Sequence, residues 1–246
     1  MPTQPHPVLD HYYRRAGDRP AFVTALFDGS ARHYDRVCQL ISLGSGQWYR
    51  RWALGRAGLR PGMTFLDVAT GTGLVARAAT RILGDARAAV GVDPSAGMLA
   101  ESRRHLANPV ARGRVEALPF ADSRFDLLCI GYALRHAADL DVACRECLRV
   151  LKPGGRLLIL EISRSQSRAT RWLIRSYFTR LLPLITALGA GRAQARLLMR
   201  YYWDTIETCV PPAAILDVLQ RAGFTNVHRR VFGGLLSEYT ATKPGQ

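Results

Sequence analysis

The stretch FLDVATGTGL, residues 65–74, decides how this chain folds. A short apolar run leads into two glycines, and helical spacing of apolar residues begins at Leu74. A glycine loop at such a junction presents backbone amides and the positive end of a helix dipole to a ligand. The dinucleotide spacing G-x-G-x-x-G/A is formally satisfied by Gly71, Gly73 and Ala76. What the loop holds depends on the residues around it.

Outward from the loop, strands and helices alternate. The apolar runs 63–68, 88–92, 125–130 and 156–162 read as buried parallel strands, with a weaker strand near 111–115. Helical patterns fill 74–83, 95–106 and 140–150. Ser95, after Asp93 and Pro94, is placed to cap the second of these. Lys152-Pro153-Gly154-Gly155 stops the third and turns the chain. Beyond 208 a helix over 213–222, a strand over 225–232, a Gly233-Gly234 turn and a strand over 235–241 predict an antiparallel hairpin. The fold class is therefore α/β: a doubly wound, mostly parallel seven-stranded sheet with ligands at the carboxyl ends of its strands. Residues 1–58 read as a helical segment on the substrate side, with the first 20 or so fraying. Residues 59–246 form the main domain, with a helical insertion at about 167–208 as a lid.

Composition narrows the function. The chain of 246 residues is 48% hydrophobic and has no uninterrupted apolar run of about 18, which argues against a spanning helix. The N-terminus lacks the apolar core of a signal peptide, so a cytoplasmic location is expected. Five cysteines show no paired framework. Cys144 and Cys147 sit in a helical pattern with no second pair to complete a zinc site, so no metal is expected. The net charge of +15 comes from scattered arginines, with only Lys152 and Lys243 as lysines. That charge favours anionic surfaces but forms no basic block demanding nucleic acid.

Asp67, four residues before Gly71, would repel a diphosphate. It suits a ligand whose near end carries an ammonium and a sulfonium, S-adenosyl-L-methionine. Asp93 can accept from both ribose hydroxyls, a role NAD enzymes share, so an NAD oxidoreductase stays open. At this point a resemblance enters. DVATGTG (67–73), GVDPSAGML (91–99), EALPF (116–120), Phe125-Asp126 and RVLKPGGRL (149–157) resemble a class I S-adenosylmethionine-dependent methyltransferase. FDGSARHYD (27–35) and LRH (134–136) further resemble the UbiE-type C-methyltransferases of ubiquinone and menaquinone synthesis.

The resemblance implies S-adenosylmethionine as cofactor, with S-adenosyl-L-homocysteine as product. It places Thr72 and Gly73 at the methionine end, Asp93 at the ribose and Met98 on one adenine face. Arg114 and Val115 fall at the adenine edge, and Gly131 contacts the cofactor after the fourth strand. The chain departs from the family at Leu74, at Arg114, at His136 and at SEYTA (237–241).

The implied acceptor is a small aromatic or quinol-like molecule, methylated at carbon; an O- or N-methyltransferase of a metabolite or head group is the alternative. A ring carbon becomes nucleophilic when an adjacent phenol loses its proton. His136 is the expected base, and Arg135 the cation that would stabilise phenolate. Tyr34, Asp35, Tyr132, Tyr201 and Tyr202 are further substrate-side candidates. The basic, aromatic stretch 167–191 reads either as an interfacial helix that meets a membrane or as a lid, with Pro183 ending its first helix.

Overall fold

The structure is a computed structural model, and the described residues are 3–164, 167–181 and 192–245. The helices are α1 (Arg19–Ile41), α2 (Gly46–Arg56), α3 (Leu74–Leu83), α4 (Ala96–His105) and α5 (Leu140–Val150). They continue with α6 (Arg168–Ser176), α7 (Arg192–Thr208) and α8 (Pro212–Arg221). The strands are β1 (Phe65–Val68), β2 (Ala89–Asp93), β3 (Val110–Arg112), β4 (Phe125–Gly131), β5 (Leu151–Ile162), β6 (Thr225–Phe232) and β7 (Leu236–Thr242).

They form one seven-stranded sheet ordered β3-β2-β1-β4-β5-β7-β6. The first five strands run parallel, and β7 pairs antiparallel with both β5 and β6. The expected fold class is therefore what the chain adopts. The order reverses between β1 and β4, and a crevice opens there at the strands' carboxyl ends.

Period-two alternation sends side chains to both faces, and both faces are covered. Leu66, Val68, Leu128, Ile130, Leu157 and Ile159 pack under α5 and α8. Phe65, Leu127, Cys129, Leu158 and Leu160 pack under α2 and α3. Each such side chain taken from water stabilises the fold by about 1.5–3 kcal/mol. Cys144 and Cys147 are part of the first cluster, on the core face of α5.

Helix ends follow from local chemistry. Ser95 caps α4 by accepting from the Met98 amide, and Asp139 caps α5 by accepting from Asp141 and Val142. The Lys152–Gly155 segment is not a plain turn. Leu151 already pairs with Phe125, the register then slips, and pairing resumes between Leu127 and Arg156. Lys152 anchors the bulge by donating to Asp126 at 2.9 Å.

The expected fraying of the first 20 residues is not what the structure shows. Arg19 is fully buried and donates to the carbonyls of His6 (3.0 Å) and Ala137 (3.1 Å). The Thr3 and Pro5 carbonyls accept from Leu140 and Val210. Proline there supplies extended, pre-ordered backbone that the rest of the fold fastens. Pro183 and the part of the stretch 167–191 from 182 onward lie outside the described residues. Among the described residues no helix is long and apolar enough to cross a membrane.

Candidate active site

The glycine loop leaves β1 through three left-handed residues, Ala69 (φ 55°), Gly71 (φ 57°) and Gly73 (φ 85°). The two glycines serve different neighbours. A Cβ on Gly71 would meet only Met98 Sδ at 3.9 Å and Tyr34 at 4.0 Å, so its bare face belongs to a cavity. A Cβ on Gly73 would come within 2.3 Å of Leu106 and 2.9 Å of Ser102, so that glycine is demanded by the segment around α4.

The cavity lies at the sheet's switch point. It encloses about 840 Å³, counting its open mouth, and is lined by Gly71, Asp93, Met98, Arg114, Val115 and Gly131 among others. All six were expected around the cofactor. Asp93 Oδ2 accepts from the Gly71 amide and Oδ1 from the Ser95 amide, both at 2.8 Å. Each oxygen retains a second lone pair, a donor set that fits a vicinal diol. Burial pushes the Asp93 carboxyl up to about 6 against the help of those amides. Arg114 also pairs with Glu116 at 3.3 Å. Gly131 is required by Val75, which a Cβ would approach to 2.7 Å.

Three expected ligand residues lie outside the cavity wall: Gly73, which packs against the segment around α4, and Asp67 and Thr72. Asp67 is 0% exposed and does not line the cavity; Oδ2 accepts from Thr70 Oγ1 (2.7 Å) and from the Ala76 amide (2.9 Å). It ties the loop to the first turn of α3. Its Oδ1 is buried without a partner, and burial pushes the carboxyl up to about 7. Thr72 likewise donates its hydroxyl to Asp35 on α1 rather than lining the cavity. Sequence spacing placed both residues in the loop but could not tell which side of the loop each would face.

The loop after β4 carries the expected catalytic pair in the turn Leu134–His136. His136 lines the cavity, edge-on to Phe27 and stacked on Tyr201. Its Nδ1 lies 3.4 Å from the Tyr201 hydroxyl, and Nε2 is buried without a partner. Burial, and then the charges of Arg135, His6 and Arg19, hold the imidazole well below its usual range, so it stays neutral.

Arg135 does not reach the cavity. It is 1% exposed and donates to Glu161 Oε2 (2.7 Å), the Tyr132 carbonyl (2.6 Å) and Thr205 (3.3 Å). That guanidinium, held in a buried ion pair, fastens the loop and lines neither this cavity nor the chamber beyond it. Tyr201 is fully buried as well, a support for His136 rather than part of the wall.

The other three tyrosines stand between two cavities. Tyr34, Tyr132 and Tyr202 line the first and also a second, mostly apolar chamber of about 1150 Å³, again counting open space. The Tyr34 and Tyr202 hydroxyls are 2.8 Å apart. Tyr132 holds a left-handed backbone (φ 62°), a strain of order 1–3 kcal/mol for a residue with a side chain. Its amide donates to the Leu160 carbonyl, its carbonyl accepts from Arg135, and its ring lies under Arg50. Those three contacts fix the ring between the chambers.

Sequence reasoning missed Asp28 and Arg50. Asp28 on α1 accepts from Ser95 Oγ and from the Gly97 amide, fastening the start of α4. Arg50 had a legible signal, because it shares the buried face of α2 with Tyr49, Ala53 and Leu54. Among the described residues no cluster of three or more metal-ligating side chains occurs.

Residues 15–243 match the ubiE/COQ5 methyltransferase family. The chain belongs to that family. It is 34% identical to a demethylmenaquinone methyltransferase of Parafrankia sp. (strain EAN1pec), over 94% of this chain and 98% of the relative. It is 33% identical to the ubiquinone/menaquinone biosynthesis C-methyltransferase UbiE of Pseudomonas paraeruginosa (strain DSM 24068 / PA7), over 90% and 89%. Its fold is shared by a SAM-dependent methyltransferase of Thermotoga maritima, with a TM-score of 0.63 at 18% identity, covering 89% of this chain and 99% of that one. The ubiE/COQ5 chain described here is thus a methyltransferase enzyme, and its cofactor is S-adenosyl-L-methionine. The first cavity fits that cofactor: an open glycine face, a carboxylate with free lone pairs for a diol, and the apolar Met98 and Val115 for a flat ring.

Proposed function

We propose that this enzyme methylates a ring carbon of a quinol-like phenol, which enters through the second chamber. The observation that carries the reading is the shared wall: the same three tyrosines bound the donor cavity and an apolar chamber able to take a hydrophobic acceptor. The C-methyltransferase name of the Pseudomonas paraeruginosa relative agrees with it.

When bound, S-adenosylmethionine supplies an electrophilic methyl group on a sulfonium. Asp93, Met98, Arg114, Val115 and Gly131 would hold it, with Gly71 allowing close approach. Thr72, Gly73 and Asp67 set the loop's shape from behind. Tyr34, Tyr132 and Tyr202 orient the acceptor ring and exclude water from the junction. Neutral His136, with one ring nitrogen uncommitted, accepts a hydrogen bond from the phenol and relays its proton toward solvent, which raises electron density on the ring. Positioning of this kind can supply several kcal/mol of the barrier.

Incubating the enzyme with labelled cofactor and a panel of benzo- and naphthohydroquinones, then locating the methyl by mass spectrometry, tests the reading. Methyl on carbon supports it; methyl only on oxygen or nitrogen, or on none of the panel, removes it.

A second element concerns delivery. On α6, Trp172 and Leu173 are 61% and 59% exposed among Arg168, Arg171 and Arg175. A helix with exposed tryptophan beside arginines suits the surface of an anionic membrane holding a lipophilic acceptor. Cosedimentation with anionic vesicles, lost in Trp172→Glu, checks this.

A further inference from the structure

Within the second chamber one charged side chain lacks a hydrogen-bond acceptor among the described residues. Arg50 is 8% exposed, and its Nε is buried with no acceptor. Among the described residues its guanidinium forms no ion pair with any carboxylate, and its one aromatic contact is the Tyr132 ring, 5.4 Å away. The other titratable groups lining the chamber are Tyr34, Cys38, Tyr49, Tyr132, Tyr177 and Tyr202. Burial raises every one of them, Cys38 to about 11, so all are neutral near pH 7. Among the described residues Arg50 is therefore the lone charge lining this mostly apolar chamber. Its field reaches Asp67 and Cys129 behind the wall as well. A buried cation that no carboxylate pairs directly is costly, and one cation–π contact with the more distant pull of Asp67 offsets only part of that cost.

We propose that Arg50 is the acceptor-binding cation of this enzyme, taking the oxyanion of an ionised phenol and so selecting acceptors that carry one. The proposal rests on the second chamber's being the acceptor site. It gives to Arg50 the anion-stabilising part that Arg135 cannot play, since Arg135 is sealed against Glu161 outside the cavity. A guanidinium beside the phenol oxygen favours the phenolate, and the proton released on binding passes to solvent. The apolar wall then makes the same charge act more strongly than it would in water. A carboxylate is the other oxyanion within reach of this chemistry, and the donor's amino-acid end carries one. The test separates the two sources.

The probe is 1-naphthol, whose phenol and phenolate absorb at different wavelengths, titrated in pH against the enzyme saturated with S-adenosylhomocysteine. Naphthol bound to the wild type should ionise at a lower pH than free naphthol, by about one unit or more, which is about tenfold in the ionised-to-neutral ratio. Arg50→Met should abolish that displacement and weaken naphthol binding at pH 8 by about tenfold or more, while Arg50→Lys restores most of both. Affinity for S-adenosylhomocysteine, read by calorimetry, should stay within about threefold in both variants.

A tenfold loss of S-adenosylhomocysteine affinity with naphthol unaffected would assign Arg50 to the donor's carboxylate and overturn the proposal. So would an unshifted naphthol in the wild type, a measurement that needs no variant to fold. Wild-type enzyme that binds S-adenosylhomocysteine but no naphthol overturns it too and leaves the methyltransferase assignment standing. Carbon methylation of hydroquinones at a rate indifferent to Arg50→Met would separate its failure from that of the functional reading.

Discussion

Replacing Asp67 by Asn should reverse the sign of its effect on stability between pH 4 and pH 8. The folded protein holds this carboxyl at about 7 against an ordinary 3.8, chiefly because burial disfavours the charged form. A displacement of about three units corresponds to about 4 kcal/mol. Because the folded value is raised, the native state keeps a proton that the unfolded chain has already released between about pH 4 and pH 7. Wild-type stability therefore falls across that window and levels off above it. Asp93, raised to about 6, adds a second decline over pH 4 to 6.

Asn at position 67 cannot ionise, so its share of the decline vanishes. It keeps an oxygen for Thr70 and the Ala76 amide, but sets an NH2 where Oδ1 has no partner. That unmet donor costs about 1–3 kcal/mol at every pH. Urea denaturation should then show the variant less stable than wild type at pH 4 and more stable by about 1–3 kcal/mol at pH 8. A difference that does not change between those pH values would refute the account of a charge trapped behind the loop. Calorimetry supplies the second arm. Since Asp67 lies outside the cavity wall, affinity for S-adenosylhomocysteine at pH 8 should fall less than about tenfold. A much larger loss would mean that Oδ1 meets the donor directly.

Three further perturbations separate positioning from chemistry. Arg135→Met strands Glu161, 4% exposed, and should cost about 3–5 kcal/mol in denaturant unfolding; turnover abolished at full stability would return Arg135 to the reacting centre. His136→Ala should lower kcat by about a hundredfold with donor affinity unchanged, and the wild-type rate should show no imidazole titration between pH 5 and 7 because the folded value lies well below 6.5. Gly73→Ala, driven into Leu106 from a left-handed backbone, should destabilise by more than about 2 kcal/mol, whereas Gly71→Ala should mainly weaken S-adenosylhomocysteine binding in calorimetry.

The architecture was legible because its determinants are local. β4 is apolar for nearly its whole length, α3 is closed by Gly73 and Gly84, and α5 begins at a capping Asp139; each can be read within a dozen residues. The residues lining the switch-point cavity were legible for a similar reason, since strand ends at Asp93 and Gly131 must face the crevice. The facing of side chains inside loops was not. Whether Asp67, Thr72 or Arg135 points at a ligand depends on Ala76, Asp35 and Glu161, and only the last two lie more than 25 residues away in sequence. Arg135 looked catalytic because an arginine beside a histidine suits phenolate chemistry; its burial follows from a carboxylate on β5 that no spacing rule connects to it. The anchored N-terminus escaped for the same reason, because its partners, Leu140 and Val210, sit on distant elements.

The helix α1 changes what the N-terminal segment is for. Asp28 fastens the start of α4, which carries Met98 into the donor cavity, and Asp35 holds Thr72 inside the glycine loop. Tyr34, between them on the same helix, faces the tyrosine wall that the two chambers share. One helix thus touches the glycine loop, the start of α4 and the second chamber at positions one or two turns apart. Because a helix moves as a rigid rod over that length, a displacement that opens the acceptor chamber must also pull on Thr72 and on the Ser95 cap. By linkage, any coupling between the glycine loop and the second chamber through this helix would run both ways. An N-terminal segment built this way acts as a clasp on the glycine loop and α4.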